Sequence, residues 1–334
     1  MIGTRLALLV LLPISSGPLW ASAFIFSGES NPDVILHPSG YTGTGGDLQV
    51  EVCIATDSES IDDMQISLAN SIAIWNRLEP ASPNSFRGGN NNIPSGQIDF
   101  ESVLTHEIGH CIGLAHVNAA SESGLGGNNR NYTKAGDGPN NELDINPGPD
   151  GVRGSADDIR GDDVNLHWFE LGSNNPFILG DVVDASTYSV ELADLPPGDS
   201  FAANADLAVS SLLGFPNTEA IMQQGARTDE DQRLLAVSDV AGIRLGMAGL
   251  DRMEGTADDY RLRLVYGGVR DDCDITVTVG GSSFAFCSLG GSSIGPDNRR
   301  VTTGNAVMGS ADNFNWFFND VEFLPQVLFS DGFE

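Results

Sequence analysis

The sequence predicts an α+β protein, and three stretches carry that expectation. Residues 48 to 56 alternate Leu48, Val50, Val52 and Ile54 with Gln49, Glu51, Cys53 and Ala55, the period-two pattern of a half-buried strand. From about Ser60 to Leu78, Ile61, Met64, Leu68, Ile72 and Trp75 recur at steps of three and four, the apolar stripe of an amphipathic helix. The third stretch, His106-Glu107-Ile108-Gly109-His110-Cys111-Ile112-Gly113-Leu114-Ala115-His116, reads H-E-x-x-H-x-x-G-x-x-H. Histidines four apart on a helix lie on one face, one turn above the other.

Residues 1 to 23 have the form of a secretory leader, with Arg5 before the apolar run Leu6 to Leu12 and Ala21-Ser22-Ala23 as an A-x-A cleavage site. No later run reaches the ~18 apolar residues of a membrane span, so the reading is export without a membrane anchor. Asp33 to His37 is a candidate neighbour of the first strand. After the first helix, Pro80, Pro83, glycines and asparagines make a loop to Gln97, and Asp99 can cap the helix that carries the histidines. Glu101 strengthens its start through the helix dipole. Residues 118 to about 205 are rich in Gly and Asn and weakly periodic, which reads as a long loop insertion. From Tyr260 the pattern is of short strands, Tyr260 to Tyr266, Asp274 to Val279 and Ser283 to Phe286, with Gly280-Gly281 as a tight turn joining the last two. The domain reading is therefore a leader, a body over 24–250 and a β-rich region over 251–334 that either stands apart or completes the sheet.

His106 and His110 can point ring nitrogens at one metal ion, and Gly113 can take the left-handed conformation that turns the chain back to bring in His116. Three protein ligands leave one position open, the mark of a catalytic zinc. Glu107 sits beside them as a base. The motif uses three of only five histidines in the chain, which weighs against a helix whose histidines merely satisfy hydrogen bonds.

The net charge of -30, from 46 acidic against 16 basic residues, makes nucleic acid an improbable partner. A D-x-x-x-G-[ST]-A-D-D pattern occurs twice, from Asp150 through Asp157 and Asp158, and from Asp251 through Asp258 and Asp259. With Asp144 and Asn146, these carboxylates and amides either converge on calcium or serve Asx-type turns. Four cysteines in an exported chain suggest two disulfides. Cys273 and Cys287 lie symmetrically about Gly280, so a hairpin would pair them, and elimination leaves Cys53 with Cys111.

The eleven-residue motif in this context resembles the metzincin clan of zinc endopeptidases, closest to matrixin-like secreted proteases of bacteria. Glu219-Ala220-Ile221-Met222-Gln223 looks like the clan's Met-turn, and Leu235 to Arg244 resembles the helix that follows it. The resemblance implies a twisted sheet, a long N-terminal helix, an active-site helix and a C-terminal helix, with Met222 as the apolar floor under the metal ligands. It also implies hydrolysis of internal peptide bonds by a zinc-activated water, with Glu107 taking its proton and passing it to the departing amine. The chain departs from the pattern between its first helix and the metal helix, where matrixins place most of their sheet, so the strand that grips substrate is not identifiable. No tyrosine follows Met222 closely, as an astacin-like ligand would, and neither a second zinc site nor a cysteine-switch segment is recognisable. The terminal Asp331-Gly332-Phe333-Glu334 looks like a tail on some exported proteins of Gram-negative bacteria. Two other readings compete: a calcium-dependent surface or adhesive module with a non-catalytic zinc site, and a zinc hydrolase of non-peptide amides.

Overall fold

The computed structural model describes residues 21–27, 33–80, 93–116, 145–146, 159–160, 168–171, 182–190, 220–222, 226 and 228–322. Residues 1–20 of the expected leader, most of the insertion and the terminal tail lie outside the described residues. The elements in chain order are β1 (Ala21–Ser22), β2 (Ile35–His37), β3 (Gly46–Ile54), α1 (Ile61–Arg77), β4 (Ile98–Asp99), α2 (Phe100–Cys111), β5 (Ile145–Asn146), β6 (Ile159–Arg160), β7 (Trp168–Glu170) and β8 (Tyr188–Ser189). Then come α3 (Val237–Met247), β9 (Tyr260–Val269), β10 (Ile275–Val279), β11 (Ala285–Gly295), β12 (Asn298–Met308) and β13 (Trp316–Phe317). The chain is a mixed α/β protein whose largest sheet is mostly parallel, rather than strands and helices segregated along the chain.

That sheet runs β11-β12-β10-β3-β9, with β2 also paired to β12. In β3, Val50, Val52 and Ile54 are buried with the core, as the alternation predicts. Met64, Leu68, Ile72 and Trp75 of α1 are buried in the same cluster, and Phe100, Leu104 and Ile108 of α2 join them. Between α1 and α2 only the two-residue β4 is seen among the described residues. The sheet is instead completed from beyond α3: β9 and β10 flank β3 on its two sides, both parallel to it. The β-rich region after residue 251 thus shares a sheet with β3.

Two expectations about pairing change. The strand at Ile35–His37 pairs with β12, not with β3. And Gly280-Gly281 does not close a hairpin: β10 pairs in parallel with β12, and β11 lies on the far side of β12, antiparallel to it. The chain leaves β10 through Gly281 at φ 81° and steps over one strand position, which β12 then fills. The hairpin in this region is β11–β12, turning through Pro296 and Asp297. Along the described residues no helix is long and apolar enough to cross a membrane.

Under the start of β12, His37 is fully buried, with Nε2 2.9 Å from Asn298 Oδ1 and Nδ1 3.4 Å from the Tyr260 hydroxyl. The amide oxygen accepts, so Nε2 carries a proton. Burial pushes its pKa from 6.5 down to about 4. The unfolded chain therefore takes up this proton first, so the stabilisation is complete above pH 6.5 and is lost as pH falls through about 4, up to about 3 kcal/mol. With the metal site saturated, the urea midpoint should fall between pH 7 and 4.5, and His37→Gln should flatten that slope; an equal slope in the variant would count against the assignment.

Candidate metal centre

Helix α2 starts where Asp99 caps it: the carboxylate accepts the Ser102 N–H at 3.1 Å and the Ser102 hydroxyl. Arg233 grips the same carboxylate in a bidentate pair, Nε at 2.8 Å and Nη2 at 2.6 Å, tying the helix start to the segment before α3. Glu101 does more than face the helix dipole. Its buried side chain accepts from Asn70 at 2.8 Å and Asn319 at 2.7 Å, and burial raises its pKa. On the α1 side, the Trp75 indole N–H donates to the Thr105 carbonyl at 2.9 Å. Gly109 permits the close approach of three elements: a Cβ there would strike Met222 Sδ and lie 2.8 Å from Trp75 Cζ2.

The two helical histidines meet the third as the spacing predicts. Gly113, at φ 121°, turns the chain where any Cβ would collide with the Leu36 carbonyl. The returning strand is then held by Ile25 N–H to Gly113 O at 3.0 Å and Ala115 N–H to Ala23 O at 2.8 Å. Ala23, the last residue of the expected leader, thus bonds the residue next to His116. His116 Nε2 lies 3.2 Å from His106 Nε2 and 3.1 Å from His110 Nε2. The Nδ1 atoms of His106 and His110 face the carbonyls of Ile221 at 2.5 Å and Leu114 at 2.8 Å. A carbonyl only accepts, so both rings carry their proton on Nδ1 and present a lone pair at Nε2.

That arrangement could hold a metal ion. His116 has at most one Nε2 proton, which can serve one of the two close contacts and leaves the other as opposed lone pairs. A cation resolves both at once. Tetrahedral ligands at 2.0–2.1 Å from zinc stand about 3.3 Å apart, close to the observed separations. Burial lowers all three pKa values, His106 well below its ordinary value, His110 to about 4 and His116 to about 3, so the rings are neutral at pH 7, the form that can bind a metal. His106, His110 and His116 are the cluster among the described residues that can hold a metal.

Glu107 is buried beside them, 4% exposed, with Oε2 lacking a hydrogen-bond partner among the described residues. Desolvation pushes its carboxyl up to about 8, opposed by a hydrogen bond from the Cys287 backbone. Cys287 belongs to β11, and its presence here overturns the expected disulfides. Cys111 is bonded to Cys287 and Cys53 to Cys273, not Cys273 to Cys287 or Cys53 to Cys111. The reason is the missing hairpin: with β12 between β10 and β11, Cys273 falls beside Cys53 at the start of β10, and Cys287 is carried to the end of α2.

A cleft opens at the histidines, lined by His106, Glu107 and His116 together with Ile221, Phe284 and Ala285. β11 pairs only with β12 among the described residues, so it is the sheet edge at this cleft. The sequence marked a strand at Ser283 to Phe286 but not its place at the edge, because nothing local marks which strand becomes the edge.

The turn at Ala220–Met222 sits under the site, with Met222 fully buried against Gly109. Asp239, in the first turn of α3, fixes it: its carboxylate accepts Ile221 N–H at 2.8 Å, Met222 N–H at 3.1 Å and Ala236 N–H at 2.6 Å. Burial pushes Asp239 up to about 6, against these three donors. Its signal in the sequence was an acidic residue three positions into a helix, a capping signature that names no partner in a distant turn.

The acidic repeats divide. Side chains of Asp144, Asn146, Asp150, Asp157 and Asp158 lie outside the described residues. In the second copy the carboxylates serve turns. Asp251 accepts from Met253 N at 2.9 Å, Asp258 from Leu250 N at 2.6 Å and the Thr256 hydroxyl at 2.6 Å, and Asp259 from Gly255 N at 2.6 Å. These are the Asx-type turns weighed against calcium, and nothing in this copy singles out a cation.

No protein-family model, curated protein or solved structure matches the chain.

Proposed function

We propose that the protein is an exported zinc endopeptidase, working as the metzincins it resembles in sequence. One observation carries the reading: three histidine Nε2 atoms converge beside a carboxylate oxygen with no partner among the described residues, in a cleft bordered by β11, which pairs only with β12 among those residues. Three imidazoles suit zinc, which when bound would polarise a scissile carbonyl and lower the pKa of a water at the open position to about 7.

The rest is work for this chain's own residues. The Ile221 and Leu114 carbonyls orient the His106 and His110 rings through Nδ1, which keeps Nε2 aimed at the centre. Glu107 takes a proton at Oε2 from the attacking water and gives it to the leaving amine. β11 offers backbone groups along which an extended peptide can lie as an added strand. An open edge favours a peptide over a small amide as substrate. The two disulfides accord with an extracellular protein.

The test is digestion of unfolded protein by the purified chain. Cleavage should stop with a chelator and return when zinc is added back. Cleavage unaffected by the chelator would end the proposal.

A further inference from the structure

Resting on the zinc reading of the three histidines, we infer that residues 23–25 are a strap that seats the third ligand, with Phe24 as a positioning residue for His116. The histidines are held unequally. His106 and His110 each rest Nδ1 on a backbone carbonyl, that of Ile221 and that of Leu114. His116 has no such bond at Nδ1 among the described residues, where its polar contacts are the two Nε2 neighbours. A metal-bound imidazole ordinarily takes its orientation from a partner at the second nitrogen. Among these residues, His116 takes its place from its backbone instead.

The strap fastens that backbone. Ile25 N–H donates to the Gly113 carbonyl at 3.0 Å and Ala115 N–H to the Ala23 carbonyl at 2.8 Å, on either side of an antiparallel bridge between Phe24 and Leu114. The two bonds bracket Leu114, whose carbonyl orients the His110 ring, and they end one residue short of His116. Two ligands thus depend on one short pairing.

Two anchors keep the strap in place. Phe24 is 2% exposed and belongs to the core, its ring so close to α3 that a Cβ on Gly246 would lie 3.8 Å from Cε1. Its carbonyl accepts the Ser27 N–H at 3.1 Å and the Ser27 hydroxyl at 2.5 Å, which closes a turn. Within that turn Phe26 sits at φ 72°, a conformation that bulky residues avoid. Its ring lies against Gly291 of β11, where any Cβ would strike it, and the Arg299 guanidinium is 5.4 Å from the ring centre. A strained residue persists where its surroundings over-determine it, and here they fix the far end of the strap. A leader cut after Ala23 would remove the Ala23 carbonyl but leave the Phe24 ring and the Ile25 bond, so the anchor is Phe24.

The experiment measures the zinc affinity of the purified chain by competition with a chromophoric chelator, alongside the Tm of the metal-free protein. Phe24→Ala empties the anchor and should weaken zinc binding about 10- to 100-fold, the range for losing an outer support of a ligand. Phe24→Leu restores apolar bulk and should stay within about threefold of the parent. Ile25→Pro removes the N–H that reaches Gly113 and leaves the Phe24 ring in place. It should weaken binding about tenfold, and it decides the matter if Phe24→Ala does not fold. Leu262→Ala removes core packing from β9, at the opposite edge of the sheet from β11, and should lower Tm while zinc affinity stays at the parent value. Parent affinity in Phe24→Ala or Ile25→Pro, no rescue by Phe24→Leu, or an equal loss of affinity in Leu262→Ala would overturn this inference and leave the metal centre standing. A parent chain that binds no zinc would overturn both.

Discussion

Glu107→Gln should keep its metal and lose hydrolysis, by between about 10² and 10⁴-fold. The substitution preserves shape and leaves an oxygen to accept the Cys287 backbone N–H, so the fold around the cleft is little disturbed. It removes the carboxylate beside the histidines that is to carry a proton from water to amine. The three histidines are untouched, since the second nitrogens of His106 and His110 rest on backbone carbonyls and backbone bonds at Gly113 and Ala115 hold the turn that returns His116. Metal content by mass spectrometry and cleavage of a quenched fluorescent peptide would check both halves. A variant that binds metal and cleaves at the parent rate would remove Glu107 from the mechanism.

The two disulfides should behave differently when broken. Each closes a long loop, 176 residues for Cys111–Cys287 and 220 for Cys53–Cys273, worth up to about 5 kcal/mol in the chain-entropy model. Serine pairs at either bridge should therefore lower Tm substantially. Their effects on cleavage should part, because only Cys111–Cys287 fastens the open strand β11 to the metal helix, one residue past His110. At a temperature where both variants remain folded, Cys111→Ser with Cys287→Ser should raise KM, while Cys53→Ser with Cys273→Ser should leave it near the parent value. Equal KM in the two double variants would mean that β11 does not hold the substrate.

How much of this was legible depended on whether the information was local. The alternation in β3, the stripe of α1, the Asp99 cap and the histidine spacing are each set within a few turns of chain, and the structure places them as read. Gly113 could be read because a reversal within six residues needs a permissive backbone there. Pairing over longer spans could not. Short apolar runs such as Ile275 to Val279 fit equally well beside several strands, and Gly280-Gly281 suggested a hairpin that β12 pre-empts. Both disulfides followed that error. Glu107's contact with β11, Asp239's hold on the Met222 turn and Gln232's place in the cleft likewise join segments whose proximity only the assembled sheet decides.

The central claim, that His106, His110 and His116 form a working metal centre, is tested most directly by titrating the metal-free chain with zinc while peptide cleavage is measured in the same samples. Cleavage should rise in proportion to occupancy and level off at one zinc per chain, and His116→Ala should abolish both the tight binding and the activity. Activity in the metal-free chain, or tight stoichiometric binding that survives His116→Ala, would contradict it.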